Sequence, residues 1–180
     1  MVMRVLEARD RYFADNGFSE ESYQDRWVRL KVGPIPIVTP NPPFRRRAIP
    51  LHDLHHVATG YDTSWRGEAE ISAWELGAGC GSYTAARLYG MGALAIGLII
   101  APRRSFRAFV RGRHATSLYC TGGWSNELLA LDVDQLRTRL HLDEAKPTTW
   151  RDRLAFAGWA AASVIPPLGV AIVLSKLRAP

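Results

Sequence analysis

The chain predicts an all-α fold, and three observations carry that prediction. Apolar residues recur at three- and four-residue spacing over most of its length. Almost nothing alternates with a period of two. Clusters of proline and glycine punctuate the periodic stretches. With 180 residues, 47% of them hydrophobic and 22% charged, the chain is long enough to bury a core as a single multi-helix domain.

Residues 2–15 and 20–31 read as helices on their spacing. GPIPIVTPNPPF, residues 33–44, holds five prolines and reads as an extended connector, because proline lacks a donor and steers its predecessor away from helix. Pro50 suits the first turn of a helix running to Thr59, with Gly60 as its stop. Asp62, Thr63 or Ser64 can cap the next helix, which reaches Leu76. GAGCG, residues 77–81, interrupts. An apolar helix over 82–101 follows, Pro102 resets the chain, and 103–115 and 134–142 read as further helices. No internal repeat is visible.

The tail differs from the rest. LAFAGWAAASVIPPLGVAIVLS, residues 154–175, carries no charge and is long enough for a bilayer core of ~30 Å. Pro166-Pro167 breaks its centre. Arg151 and Arg153 before it and Lys176 and Arg178 after it favour both ends on the cytoplasmic side. A kinked, membrane-dipping helical hairpin fits this pattern, with a buried core hairpin as the alternative. The expected division is therefore 1–147, a helical domain, and 148–180, an apolar membrane-associating segment.

Net charge is +6 and the isoelectric point about 9.7, with twenty arginines to three lysines. Such a surplus favours anionic partners. RRSFRAFVRGRH, residues 103–114, sets Arg103, Arg107 and Arg111 in one stripe beside Phe106, Phe109 and Val110. That is the pattern of a helix lying on anionic lipid, or of a solvated face. No nucleic-acid-binding motif accompanies the charge, so nucleic acid is not the expected partner. Cys80 and Cys120 form no CxxC pair, which speaks for a reduced compartment. MVMRVLEARDRYF breaks every apolar run with charge and is not a secretory signal.

HDLHHVATGYDTSWRGE, residues 52–68, holds three of the five histidines. On a helix His52 and His56 stand ~6 Å apart along the axis and ~40° around it. Asp53 shares their wedge of surface. His55 points off it, with a supporting role or none. Glu68 falls one turn into the next helix, an antiparallel neighbour, at the height of His56. Two imidazoles and two carboxylates can so converge on one point, which by geometry is a metal site. A solvated His-x-x-x-His face is the alternative. Gly67 would let the backbones approach. Glu75, one helical repeat on from Glu68, competes with it as a ligand. The zinc-protease pattern is excluded because no glutamate follows the first histidine directly. A His-Asp phosphohydrolase is disfavoured because no histidine precedes His52.

HDLHHVATGY followed by GEAEISAWELG resembles the coenzyme Q biosynthesis protein 4 family, whose signature is His-Asp-x-x-His, eleven residues, then Glu. FVRGRHATSLY and LLALDVDQLRTRLHL resemble later segments of that family, so the resemblance spans residues 20–143. It implies an all-helical protein binding a divalent ion, usually zinc, through His52, Asp53, His56 and Glu68. Iron and manganese stay open for so oxygen-rich a set. Asp53 is then the weaker ligand or the proton-transfer group, and Asp53 and Glu68 are the catalytic candidates. The implied substrate is a polyprenylated quinone precursor, which loses its ring carboxylate at C1 and is hydroxylated there, with the protein peripherally associated with a membrane, on the cytoplasmic side that the charged flanks of the tail favour. LYGMGALAIGLIIA, residues 88–101, would wall a prenyl tunnel or simply be a core helix; Gly90, Gly92 and Gly97 thin one of its sides. A non-catalytic prenyl-lipid scaffold for other quinone-biosynthesis enzymes is the alternative function, and a homodimer is compatible with either.

Overall fold

The computed structural model describes residues 2–32, 35–143 and 146–177, and their side chains apart from 29–37, 39 and 166–177. The described chain is mostly helical. Its elements are α1 (Val5–Asn16), β1 (Trp27–Val32), β2 (Ile35–Pro40), α2 (Pro43–Thr59), α3 (Trp65–Ala78), α4 (Thr84–Ile100), α5 (Pro102–Arg113), α6 (Asn126–Ala130), α7 (Val133–Arg139) and α8 (Trp150–Leu177), with 3-10 turns at Glu21–Tyr23 and Leu118–Cys120.

Three segments correct the expected elements. Residues 20–31 are not a helix: after the short 3-10 turn, β1 pairs antiparallel with β2 from Trp27↔Pro40 to Val32↔Ile35. The apolar alternation of Val28, Leu30 and Val32 in WVRLKV suits a strand. Prolines are tolerated in β2 because both members of a two-stranded sheet are edges. Next, α2 begins at Pro43 rather than Pro50. Pro43 takes the first-turn place, and Pro50 lies inside the helix, where it removes only the bond to the Arg46 carbonyl. Finally, α8 runs as one helix through Pro166 and Pro167, where a hairpin was expected. The apolar side chains from 166 to 175 lie outside the described residues. Among the described residues no helix is long and apolar enough to cross a membrane.

The predicted stops and caps of α2 and α3 hold. Gly60 ends α2 at φ 78°, a left-handed conformation that glycine adopts without strain. Ser64 caps α3, its hydroxyl accepting from the Gly67 amide at 3.2 Å. Gly67 does admit a close approach, but of the Asp62 backbone rather than of α2. The carbonyls at the end of α2 are satisfied from outside, by Arg137 Nη1 to Ala58 at 2.8 Å and Arg111 Nη1 to Thr59 at 3.1 Å. Arg111 therefore leaves the expected basic stripe and lies over the Tyr61 ring. Arg103 and Arg107 remain exposed.

Helix α3 is the centre of the fold and packs along both α4 and α5. Its Trp74 is fully buried with Phe109, Leu51, Leu54, Ile71, Leu94 and Leu118. The crossing with α5 is backbone to backbone. A Cβ at Gly112 would collide with the Trp74 carbonyl, and one at Gly77 with the Phe109 carbonyl. Gly90 and Gly97 of α4 face Leu76 and Ala69 of α3, so that side of α4 is core; Gly92 faces open space. The opposite side leaves Leu88, Tyr89 and Ile99 exposed, Ile99 at 83%. The start of α8 belongs to the same body: Phe156 packs edge-on against Phe106 and Phe109, and buried Asp152 faces Arg113 and His114.

Candidate metal centre

The caps that end α2 and start α3 bring His52, His56 and Glu68 together. His56 Nε2 lies 3.2 Å from His52 Nε2. Each of these nitrogens is 3.5 Å from an oxygen of Glu68. One donor atom from each residue lies within 4.8 Å of the others.

The outer ring nitrogens determine where the protons sit. His56 Nδ1 is 2.8 Å from the Tyr61 carbonyl, which can only accept, so Nδ1 carries the proton and Nε2 keeps its lone pair. His52 Nδ1 is 2.9 Å from Glu75 Oε1, a carboxylate oxygen, so Nδ1 donates there and Nε2 is the nitrogen turned toward His56. The two Nε2 atoms then face one another across 3.2 Å beside a carboxylate, an arrangement that calls for a cation between them, a shared proton or a metal ion. The edge of a tetrahedron with metal–ligand bonds of ~2.05 Å is about 3.3 Å, which the two nitrogens match at 3.2 Å, while Glu68 faces them with a different oxygen each, Oε2 to His52 and Oε1 to His56. The donor set of two imidazoles and one carboxylate suits zinc and leaves one position for a ligand. Iron and manganese fit the same donors.

The electrostatics agree. Burial works against a charge on His52, yet Glu75 and then Glu68 overcome it and raise its pKa well above the ordinary value. Burial works upward on Glu68, but the bonds from His52 and His56 outweigh it and bring its carboxyl down to about 2. Its side chain keeps 37% of its exposure, so this corner is the open side of the site.

Asp53 is placed beside the three but is not among the clustered donor atoms. Its Oδ2 accepts from the Tyr23 hydroxyl at 2.6 Å, and its Oδ1 lies 3.5 Å from that of Tyr12. Burial pushes the Asp53 carboxyl up, against the pull of His52. His55, fully buried, is structural: its Nε2 accepts from the Leu118 amide at 2.9 Å and its Nδ1 donates to Glu75 at 2.7 Å.

Four tyrosines around the site were not legible in the spacing. Tyr12 stacks on His56 with ring centroids 5.4 Å apart. Tyr23 and Tyr119 donate to Asp53 and Glu75, and Tyr61 supplies the carbonyl for His56. Tyr12 and Tyr119 reach the site from 41 and 44 residues away in the chain, and no local pattern marks them. A surface cavity of about 680 Å³ lined by Arg46, Arg47, Tyr83 and Trp124 reaches Tyr23, but none of the three clustered residues lines it.

Compared with known proteins, the chain matches no family model, no curated protein and no solved structure.

Proposed function

We propose that this chain is a divalent-metal-dependent protein acting on a polyprenylated quinone precursor or a related prenylated aromatic, in the manner the coenzyme Q biosynthesis protein 4 resemblance implies. The observation that carries the reading is the convergence of His52 Nε2, His56 Nε2 and Glu68, with both outer ring nitrogens already committed as donors. A bound divalent ion would withdraw electron density from a carboxylate or phenolate on the ring.

The residues of the chain divide the remaining work. His52, His56 and Glu68 would hold the ion, and the Glu68 charge would temper it. Asp53 has a carboxyl that burial has made a weaker acid, and the Tyr12 hydroxyl stands beside it above His56. This pair is suited to move a proton to or from the ring during loss of carbon dioxide. The accompanying hydroxylation at C1 is a two-electron oxidation: with molecular oxygen as oxidant and water as the source of the hydroxyl group, it would release hydrogen peroxide beside carbon dioxide. Leu88, Tyr89 and Ile99 on α4, with exposed Arg103 and Arg107 on α5, suit contact with the prenyl tail and an anionic leaflet on the cytoplasmic side. Those same exposed apolar residues support the second reading, a non-catalytic lipid-binding scaffold. The discriminating experiment supplies a carboxylated prenyl-phenol and oxygen to the metal-loaded protein and follows the ring by mass spectrometry. Exchange of the carboxylate for a hydroxyl, lost in Glu68→Gln, is expected; unchanged substrate that nevertheless co-purifies with the protein establishes the scaffold instead.

A further inference from the structure

Glu75 lies two helical turns beyond Glu68 on the same face of α3, a separation of ~10 Å along the axis. The His52 ring bridges the two carboxylates, Nε2 toward Glu68 at 3.5 Å and Nδ1 toward Glu75 at 2.9 Å. Glu75 is 2% exposed, and its Oε1 alone receives three donors: His52 Nδ1, His55 Nδ1 at 2.7 Å and the Tyr119 hydroxyl at 3.0 Å. The direction of these bonds is forced. His55 Nε2 is occupied by the Leu118 amide, so its Nδ1 must donate, and Tyr119 can satisfy a carboxylate only by donating. A buried carboxylate receiving three hydrogen bonds on one oxygen stays ionised and fixed in place. Facing the far nitrogen of His52, it cannot share an ion with Nε2, which removes it as a rival ligand.

We propose that Glu75 is the positioning residue of the metal centre: by taking the Nδ1 proton of His52 it turns the Nε2 lone pair of that ring toward His56 and Glu68 and makes it a stronger donor. This rests on the metal reading given above. Tyr119 and the Leu118 amide come from the 3-10 turn Leu118–Cys120, so that turn is tied to the centre through Glu75 and His55. Carboxylates in this outer position typically contribute 10–100-fold in metal affinity.

The test uses the full chain with zinc and cobalt as probes. Glu75→Gln keeps an oxygen where all three donors converge and removes the charge, so the fold should survive. Zinc affinity, measured by chelator competition, should fall ~10–100-fold with the melting transition retained. Independently of any variant, nitrogen NMR of the zinc-loaded wild type should show His52 coordinated through Nε2 with the proton still on Nδ1. Coordination of His52 through Nδ1, or equal zinc affinity in Glu75→Gln and wild type, overturns the role of Glu75 and leaves the metal reading intact. A wild type that binds neither zinc nor cobalt overturns both.

Discussion

His52 is the residue on which charge, geometry and the proposed metal binding meet. In the metal-free protein its raised pKa places a proton on the cluster at neutral pH, held between two imidazoles and Glu68. A divalent ion must displace that proton. Zinc binding at pH 7 should therefore release roughly one proton per ion, read by calorimetry in buffers of different ionisation enthalpy. The metal-free stability profile follows from the same shifts. The His52 contribution is complete below its ordinary pKa of 6.5 and fades as pH rises through its raised folded value. The Glu68 contribution is complete above its ordinary 4.5 and is lost as pH falls through about 2. Metal-free melting temperature should hence be highest between these two ordinary values and decline at alkaline pH, and His52→Ala should abolish the alkaline part of the decline. His55 behaves otherwise. It is fully buried and joins Glu75 to the Leu118 amide. His55→Ala should cost ~2–4 kcal/mol, a fall of roughly 5–15 °C in melting temperature, by leaving a cavity and an unpaired amide.

At the scale of elements, what was legible in the sequence is what local chemistry controls. Gly60, Ser64 and the spacing from His56 to Glu68 define the end of α2, the start of α3 and the height at which their side chains meet. The strand at 27–32 was not legible: its apolar positions also fit a helical spacing, and only pairing with β2 across residues 33–34 decides between the two. The fate of Arg111 was hidden for a related reason. Its place in a basic stripe is local, whereas the Thr59 carbonyl that it bonds lies 52 residues away. The outer partners of the histidines were likewise out of sight, since Tyr119 and Tyr12 approach from distant elements. The α3–α5 crossing offers a direct check on the packing. Gly112→Ala places a methyl group against the Trp74 carbonyl, and backbone cannot move aside as a flexible side chain would. The variant should lose ~1–3 kcal/mol and melt several degrees lower. Gly92→Ala on α4, where a Cβ meets open space, should be neutral or mildly stabilising.

At the scale of the whole molecule, a body centred on α3 carries the candidate metal centre between α2 and α3 and leaves an apolar face on α4 uncovered among the described residues. If that face meets lipid, Ile99→Glu should weaken co-sedimentation with anionic vesicles several-fold while leaving melting unchanged, because Ile99 is 83% exposed. Equal sedimentation would move the attachment to the C-terminal segment, and truncation after Ile165, which keeps the packed start of α8, would then release the protein from vesicles. The central claim, however, is that two imidazole nitrogens and Glu68 form one divalent-metal site, and its most direct test is metal content per chain after zinc loading and desalting. The expected result is one ion per wild-type chain, lost in both His52→Ala and His56→Ala and weakened at least ~10-fold in Glu68→Gln. Zinc retained at full stoichiometry in both histidine variants, or absent from the wild type, would contradict it.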